Sequence, residues 1–224
     1  MFCTSIEEAV DYASQNHDGQ KRQSGENYIN HPIRVMEHLE RHGFDKEIQQ
    51  AGVLHDVVED TKVTFAEIER RFGPRVRILV QGVTKHRKGK EERDLFVAPE
   101  LPDNWPIRAD NGFMFYFHRL EQIGRQIDPG CLAIKASDQL DNLSDACTAN
   151  SLLVERKVVE VEKFFLPLYR RSSEFFSDQD QPKFKALISE LDAARQAAHD
   201  YLSVNGHRQA EISEYKKWMK VRYI

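Results

Sequence analysis

The segment Ala51 to Thr61, AGVLHDVVEDT, sets His55, Asp56, Glu59 and Asp60 in a largely apolar frame of Ala51, Val53, Leu54, Val57 and Val58. Charge placed in such surroundings is costly to bury unless it is paired or coordinated to a metal. Read as one helix, His55 and Glu59 stand four residues apart, as do Asp56 and Asp60, so each pair stacks along one face. The two stripes lie roughly 100° apart and converge on one site. His55 and Asp56 can then hold a metal ion while Glu59 and Asp60 handle a proton one turn further on. The plainer reading is a charged surface helix, since a lone His-Asp dipeptide means little; the apolar frame argues against it.

A chain of 224 residues sustains one substantial domain, or a domain with an appendage. With 40 % apolar and 30 % charged residues, the composition fits a soluble globular protein with a helical bias. The net charge of −4 provides no field for nucleic acid or a membrane surface. No apolar run approaches a membrane span, and no signal-peptide pattern opens the chain. Cys3, Cys131 and Cys147 form neither a CxxC metal site nor a disulfide framework, which points to a reducing, cytoplasmic setting.

Helical periodicity dominates, and no run of alternating strand residues appears. The pattern predicts an all-α bundle of about eight to ten helices without significant sheet. Ser5 to about Asn16 forms the first helix, followed by a polar loop, His17 to Asn30. Pro32 reads as a first-turn proline of a helix through His42, Gly43 stops it, and Asp45 caps the helix bearing the His-Asp pair. Thr64 and Glu67 make a capping box, and Gly73-Pro74 separates that short helix from one reaching about Lys85. From 86 to 111 a charge run and a proline-rich stretch break the pattern, as expected of a loop or flap. Helices follow at about 113–126, 131–148, 152–176, 181–204 and 207–222. The division is a catalytic core over 1–150, with helices of 151–224 packing on it in the same domain and carrying no chemistry of their own.

Further ligands must come from elsewhere. His31, in YINHPIRV at a loop–helix junction, can aim an imidazole inward, and Asp138 is an acid on an otherwise apolar face of LAIKASDQLDNL. Two imidazoles and two carboxylates suit Mn, Fe or Zn, and an open position lets a bound water lose its proton near neutral pH. Taken singly, His31 reads as a satisfied core or capping histidine, and Asp138 as the partner of Lys135.

Together, QKRQSGENYINHPIRV, AGVLHDVVEDTKVTFAEIERRFGPRVRILVQGVTK and LAIKASDQLDNLSDA closely resemble, in the family's order, the hydrolase domain of RelA/SpoT proteins, members of the HD phosphohydrolase superfamily. The resemblance implies an all-helical domain that removes the 3′-pyrophosphate of (p)ppGpp, giving GDP or GTP. It implies one Mn(II) held by His31, His55, Asp56 and Asp138, with Glu59 and Asp60 orienting and deprotonating the attacking water. Arg22 matches a position that packs on the base and Asn142 one that lines the nucleoside pocket, with Lys21 and Ser24 beside them on the substrate loop. The small-molecule substrate is thus a nucleotide.

Where the long RelA/SpoT enzymes read KLADRLHNMRT, this chain reads KASDQLDNLSD, with Gln139, Asp141, Ser144 and Asp145 at the variable places. The metal aspartate and the asparagine survive. Two extra acids beside the pocket could repel phosphates or accept from a base amino group, so (p)ppApp stands beside (p)ppGpp. Lys88, Lys90 and Arg93 could reach substrate phosphates when the flap closes, although a charge run is more often a solvated loop. No synthetase domain follows, as in stand-alone small alarmone hydrolases. Because NADPH 2′-phosphatase activity is attributed to the metazoan SpoT homologues, that reaction is the alternative within the enzyme class. A catalytically silent alarmone-binding module is the alternative outside it. The oligomeric state is open.

Overall fold

The computed structural model describes residues 5–85, 112–146 and 151–204. Among these no strand forms, and the only β-type pairing is an isolated bridge between Lys21 and Asn27. Local signals place most helix ends. Helix α1 (Ile6–Asn16) starts at Ser5, whose side chain and that of Glu8 exchange capping bonds. Helix α2 (Asn30–Arg41) carries Pro32 in its first turn, where the missing amide leaves no bond unmade. At Gly43 the backbone takes φ of +75°, and Asp45 then caps α3 (Lys46–Leu54) by accepting from the Glu47 and Ile48 amides. Thr64 and Glu67 form the expected box at the head of α5 (Phe65–Phe72), and Pro74 opens α6 (Pro74–Val83).

In two places the chain breaks a helix that periodicity alone would continue. The helix bearing the His-Asp pair stops at Leu54 and restarts as α4 (Val57–Asp60). Asp56, at φ −97° and ψ −7°, lies toward the bridge between helical and extended space. Here the Gly52 carbonyl bonds the His55 imidazole Nδ1 at 2.8 Å, a side-chain bond that competes with the helical ladder. The expected 152–176 helix is α9 (Ser151–Glu160), a π-helical stretch Val161–Phe165, α10 (Leu166–Ser172) and a 3-10 turn Ser173–Phe175. Pro167 has no amide to offer the preceding turn, and the π-helical register falls immediately before it.

Helix α7 (Gly112–Gln126) leads into α8 (Gly130–Ala146), which is buried on every side from Cys131 to Asp141. Helices α2, α3, α6, α7, α9 and α11 (Gln181–Val204) pack around it. One continuous apolar core runs from Ala9 to Leu202 and includes Val154, Val158 and Phe184 from beyond position 150. A helix buried all round has no solvent face for polar groups, so Lys135, Asp138, Gln139 and Asp141 must find partners inside the protein. Gln139 accepts from the Tyr169 hydroxyl at 2.7 Å. The other three converge on the site described next. The expected helix at 207–222 and the 86–111 segment lie outside the described residues.

Candidate metal centre

Three elements deliver four donor atoms to one point. His31 comes from the first turn of α2, His55 and Asp56 from the α3–α4 break, and Asp138 from the middle of α8. His31 Nε2 lies 3.2 Å from Asp138 Oδ1 and 3.8 Å from Asp56 Oδ2. His55 Nε2 lies 3.1 Å from Asp56 Oδ2 and 3.8 Å from Asp138 Oδ1. The atoms therefore close a ring of alternating nitrogen and oxygen. Tetrahedral ligands at bonds of about 2.0–2.2 Å stand roughly 3.3–3.6 Å from one another, which is the size of this ring.

Each imidazole is anchored from behind. His55 Nδ1 donates to the Gly52 carbonyl, and His31 Nδ1 donates to Asp141 Oδ2 at 2.6 Å. With Nδ1 engaged behind each imidazole, both Nε2 atoms are the ones aimed into the donor ring. A cation bound there would take their lone pairs, displacing the second proton that His55 holds near neutral pH without one. His55 Nε2 is buried and has no hydrogen-bond partner, an orphaned donor atom that a cation would satisfy. The charges agree. Burial opposes the ionised form of Asp56, yet the His55 and His31 rings outweigh it and hold its carboxyl well below the usual range. Burial also opposes ionisation of Asp138, and the Lys135 ammonium outweighs it. Burial would depress His55, but the Asp56 and Asp138 carboxylates raise it to about 9. The buried Asp138, the half-buried Asp56 and two buried imidazoles fit a divalent cation. His31, His55 and Asp56 each offer a ligand atom within 4.8 Å of the others.

Asp138 pairs with Lys135 through one oxygen, Oδ2, and leaves the other facing the ring. That Oδ1 faces the two histidines and accepts from Asn142 Nδ2 at 2.5 Å. Despite the broken helix, Asp60 of α4 is tied to the ring through Tyr28, and Glu59 is close enough to Asp56 to feel its charge. Glu59 Oε2 accepts the Lys85 amide at 2.9 Å, and burial raises its pKa against the lowering pull of Lys85. Asp60 Oδ2 faces the Tyr28 hydroxyl at 3.0 Å, and the same hydroxyl stands 2.6 Å from Asp56 Oδ2. Sequence reasoning passed over Tyr28; its place three residues before His31, entering the same helix, was the available signal.

Of the expected substrate-binding residues, Arg22 and Asn142 meet, with the guanidinium 3.1 Å from Asn142 Oδ1. Lys21 donates to Asn27 across its own loop and, like Ser24, is exposed and in no described contact with the ring. Lys88, Lys90 and Arg93 lie outside the described residues, as does the Asp145 side chain. Asp141 is not a free acid facing the pocket: it is buried, bonded to His31 and to Arg34 Nε at 2.5 Å. In α9, burial pushes the Lys157 ammonium down to about 8, opposed first by Asp138.

The HD-domain family model matches residues 9–172, from α1 into α10. The chain belongs to the HD-domain family. It is 34 % identical over 166 residues to the guanosine-3′,5′-bis(diphosphate) 3′-pyrophosphohydrolase of Aquifex aeolicus, covering 74 % of this chain and 21 % of that protein. It is 32 % identical over 166 residues to a GTP pyrophosphokinase of Streptomyces coelicolor, covering 74 % of this chain and 18 % of that protein. This HD chain thus spans about a fifth of the length of the curated relatives it matches. The solved structure of a metazoan orthologue of SpoT that hydrolyses ppGpp superposes with a TM-score of 0.56 at 24 % identity, over 83 % of this chain and 94 % of that one. That likeness extends the shared fold through most of the molecule. No helix among the described residues is long and apolar enough to cross a membrane.

Proposed function

We propose that this HD protein is a metal-dependent 3′-pyrophosphohydrolase of guanosine or adenosine alarmones, holding one Mn(II) on His31, His55, Asp56 and Asp138. The observation that carries the reading is the closed ring of four donor atoms, with Asp60 tied to it through Tyr28. The Aquifex aeolicus relative, a guanosine-3′,5′-bis(diphosphate) 3′-pyrophosphohydrolase, supports the substrate class.

When bound, the ion supplies positive charge that acidifies water and offsets charge on the phosphate. The remaining work falls to side chains. Burial makes Glu59 a better proton acceptor than an exposed glutamate, and the Lys85 amide fixes the direction of its Oε2. Glu59 takes the proton of the attacking water as the oxygen adds to the phosphorus borne by the 3′-oxygen. The bond between that phosphorus and the 3′-oxygen breaks, and pyrophosphate leaves as the 3′-oxygen is protonated. Tyr28 holds Asp60 in line, while Arg22 and Asn142 line the nucleoside side, where a guanidinium plane can cover a purine.

The test is incubation of the purified protein with Mn(II) and, separately, ppGpp, ppApp and NADPH, with products resolved by anion exchange. Pyrophosphate plus GDP or ADP is expected and names the base. Orthophosphate from NADPH alone would move the assignment to a 2′-phosphatase. Silence on all three would leave an alarmone-binding module as the better reading.

A further inference from the structure

The bond behind His31 is the first link of a chain that ends in the loop carrying Arg22. Asp141 Oδ2 faces His31 Nδ1 at 2.6 Å, and Asp141 Oδ1 accepts from Arg34 Nε at 2.5 Å. The other arm of the Arg34 guanidinium grips Glu26, with NH1 2.8 Å from Oε1 and NH2 3.2 Å from Oε2. Glu26 Oε1 also accepts from Asn30 at 2.9 Å, and the Glu26 carbonyl accepts the Arg22 amide at 2.9 Å. One planar cation thus forks between a buried carboxylate and a loop carboxylate.

We propose that Asp141 is a positioning residue for His31, itself oriented by Arg34 and Glu26, so that the metal centre and the Arg22 loop are set by one hydrogen-bonded chain. The proposal rests on the reading that His31 holds the metal. A carboxylate behind an imidazole selects the tautomer with a bare Nε2, fixes the ring plane and strengthens that nitrogen as an electron-pair donor. Arg34 shares both oxygens of Asp141, with NH2 3.3 Å from Oδ2, so the carboxylate cannot rotate freely. The alternative is that Asp141 and Arg34 form only a structural ion pair. That role would affect folding and leave the tautomer and metal affinity alone.

Asp141→Asn, Asp141→Leu and Arg34→Met separate the two. Calorimetric titration of the metal-free full chain with Mn(II) should show Asp141→Leu binding about 10–100-fold more weakly, the range typical of lost outer partners. Asp141→Asn keeps an oxygen for the Nδ1–H and should lose less. Arg34 is 32 % exposed, so Arg34→Met should fold like the parent and lose affinity several-fold. Nitrogen-detected imidazole spectra of the metal-free proteins give a second readout. His31 should carry its proton on Nδ1 in the parent and become a tautomer mixture in Asp141→Leu. Parent-like Mn(II) affinity and an unchanged His31 tautomer across the variants would overturn the proposal. A parent that binds no Mn(II) would defeat the metal reading instead, and the tautomer comparison would still decide the role of Asp141.

Discussion

The Tyr28 hydroxyl stands 2.6 Å from Asp56 Oδ2 and 3.0 Å from Asp60 Oδ2, bridging a metal-ring carboxylate to one of the two acids beside it. Burial, reinforced by Asp56, drives its pKa far above that of a free phenol, so it stays protonated and donates. Tyr28→Phe keeps the ring packed against His17 and His31 but removes the shared donor. A hydrogen bond to a charged group is worth about 1.5–3 kcal/mol, so kcat should fall roughly tenfold or more while KM barely moves. Steady-state kinetics at saturating Mn(II) decide it; kcat within twofold of the parent would remove Tyr28 from the machinery.

Glu59→Gln should separate activity from stability. The amide cannot accept the water's proton, so turnover should drop about a hundredfold or more. The folded-state pKa of Glu59 is raised, so its contribution to stability is present at low pH and lost as pH rises through the folded value. At neutral pH the native state therefore carries the cost of a buried carboxylate, which the variant lacks. Calorimetric melts of the metal-free proteins should show Glu59→Gln equal to the parent in acid and more stable near pH 8. A variant less stable at every pH would contradict the argument.

The parts of this site that were legible in the sequence are those set by near neighbours. Asp45, Thr64 and Glu67 cap their own helices, and Gly43 and Gly73 end them, so their roles need only a few residues of context. The four ring residues were proposed on motif and resemblance, and their atoms meet. What periodicity missed has two origins. The break at His55–Asp56 goes with a local side-chain bond from His55 to the Gly52 carbonyl, which an apolar pattern does not register, whereas the direction of Asp141 is decided by His31 and Arg34, more than a hundred residues away in sequence. Glu59 and Asp60 reach the site without the continuous helix that suggested them, because α4 is itself helical and carries both.

Gly52 governs how closely α2 and α3 approach. A Cβ there would lie 2.5 Å from Leu39 Cδ1 and 3.6 Å from the Met36 backbone, and Leu39 is fully buried. Alanine gains up to about 1 kcal/mol of helix propensity, against roughly 1–3 kcal/mol for overpacking a core. Because Leu39 has no solvent to move into, Gly52→Ala should lower the denaturation midpoint without changing the m-value. In a Leu39→Ala background the same change should be neutral or stabilising, since the obstructing atom is gone. Equal effects in both backgrounds would show that the contact does not limit the approach.

Metal should stabilise the fold by an amount that grows with the logarithm of its concentration above Kd, because the ring joins α2, the α3–α4 break and α8, elements that are contiguous only when folded. A ligand bound only by the native state adds RT ln(1 + [L]/Kd), about 2.7 kcal/mol at a hundredfold excess over Kd. For a chain of this length that is a rise in melting temperature of roughly 5–11 °C. Titrating Mn(II) into chelator-treated protein should give that rise, and excess chelator should reverse it. Asp56→Ala deletes the oxygen that stands 3.1 Å from His55 Nε2 and 3.8 Å from His31 Nε2, so this variant should melt at one temperature whatever the Mn(II) concentration. An Asp56→Ala protein that still gains the full shift would place the ion elsewhere and remove Asp56 from the ligand set.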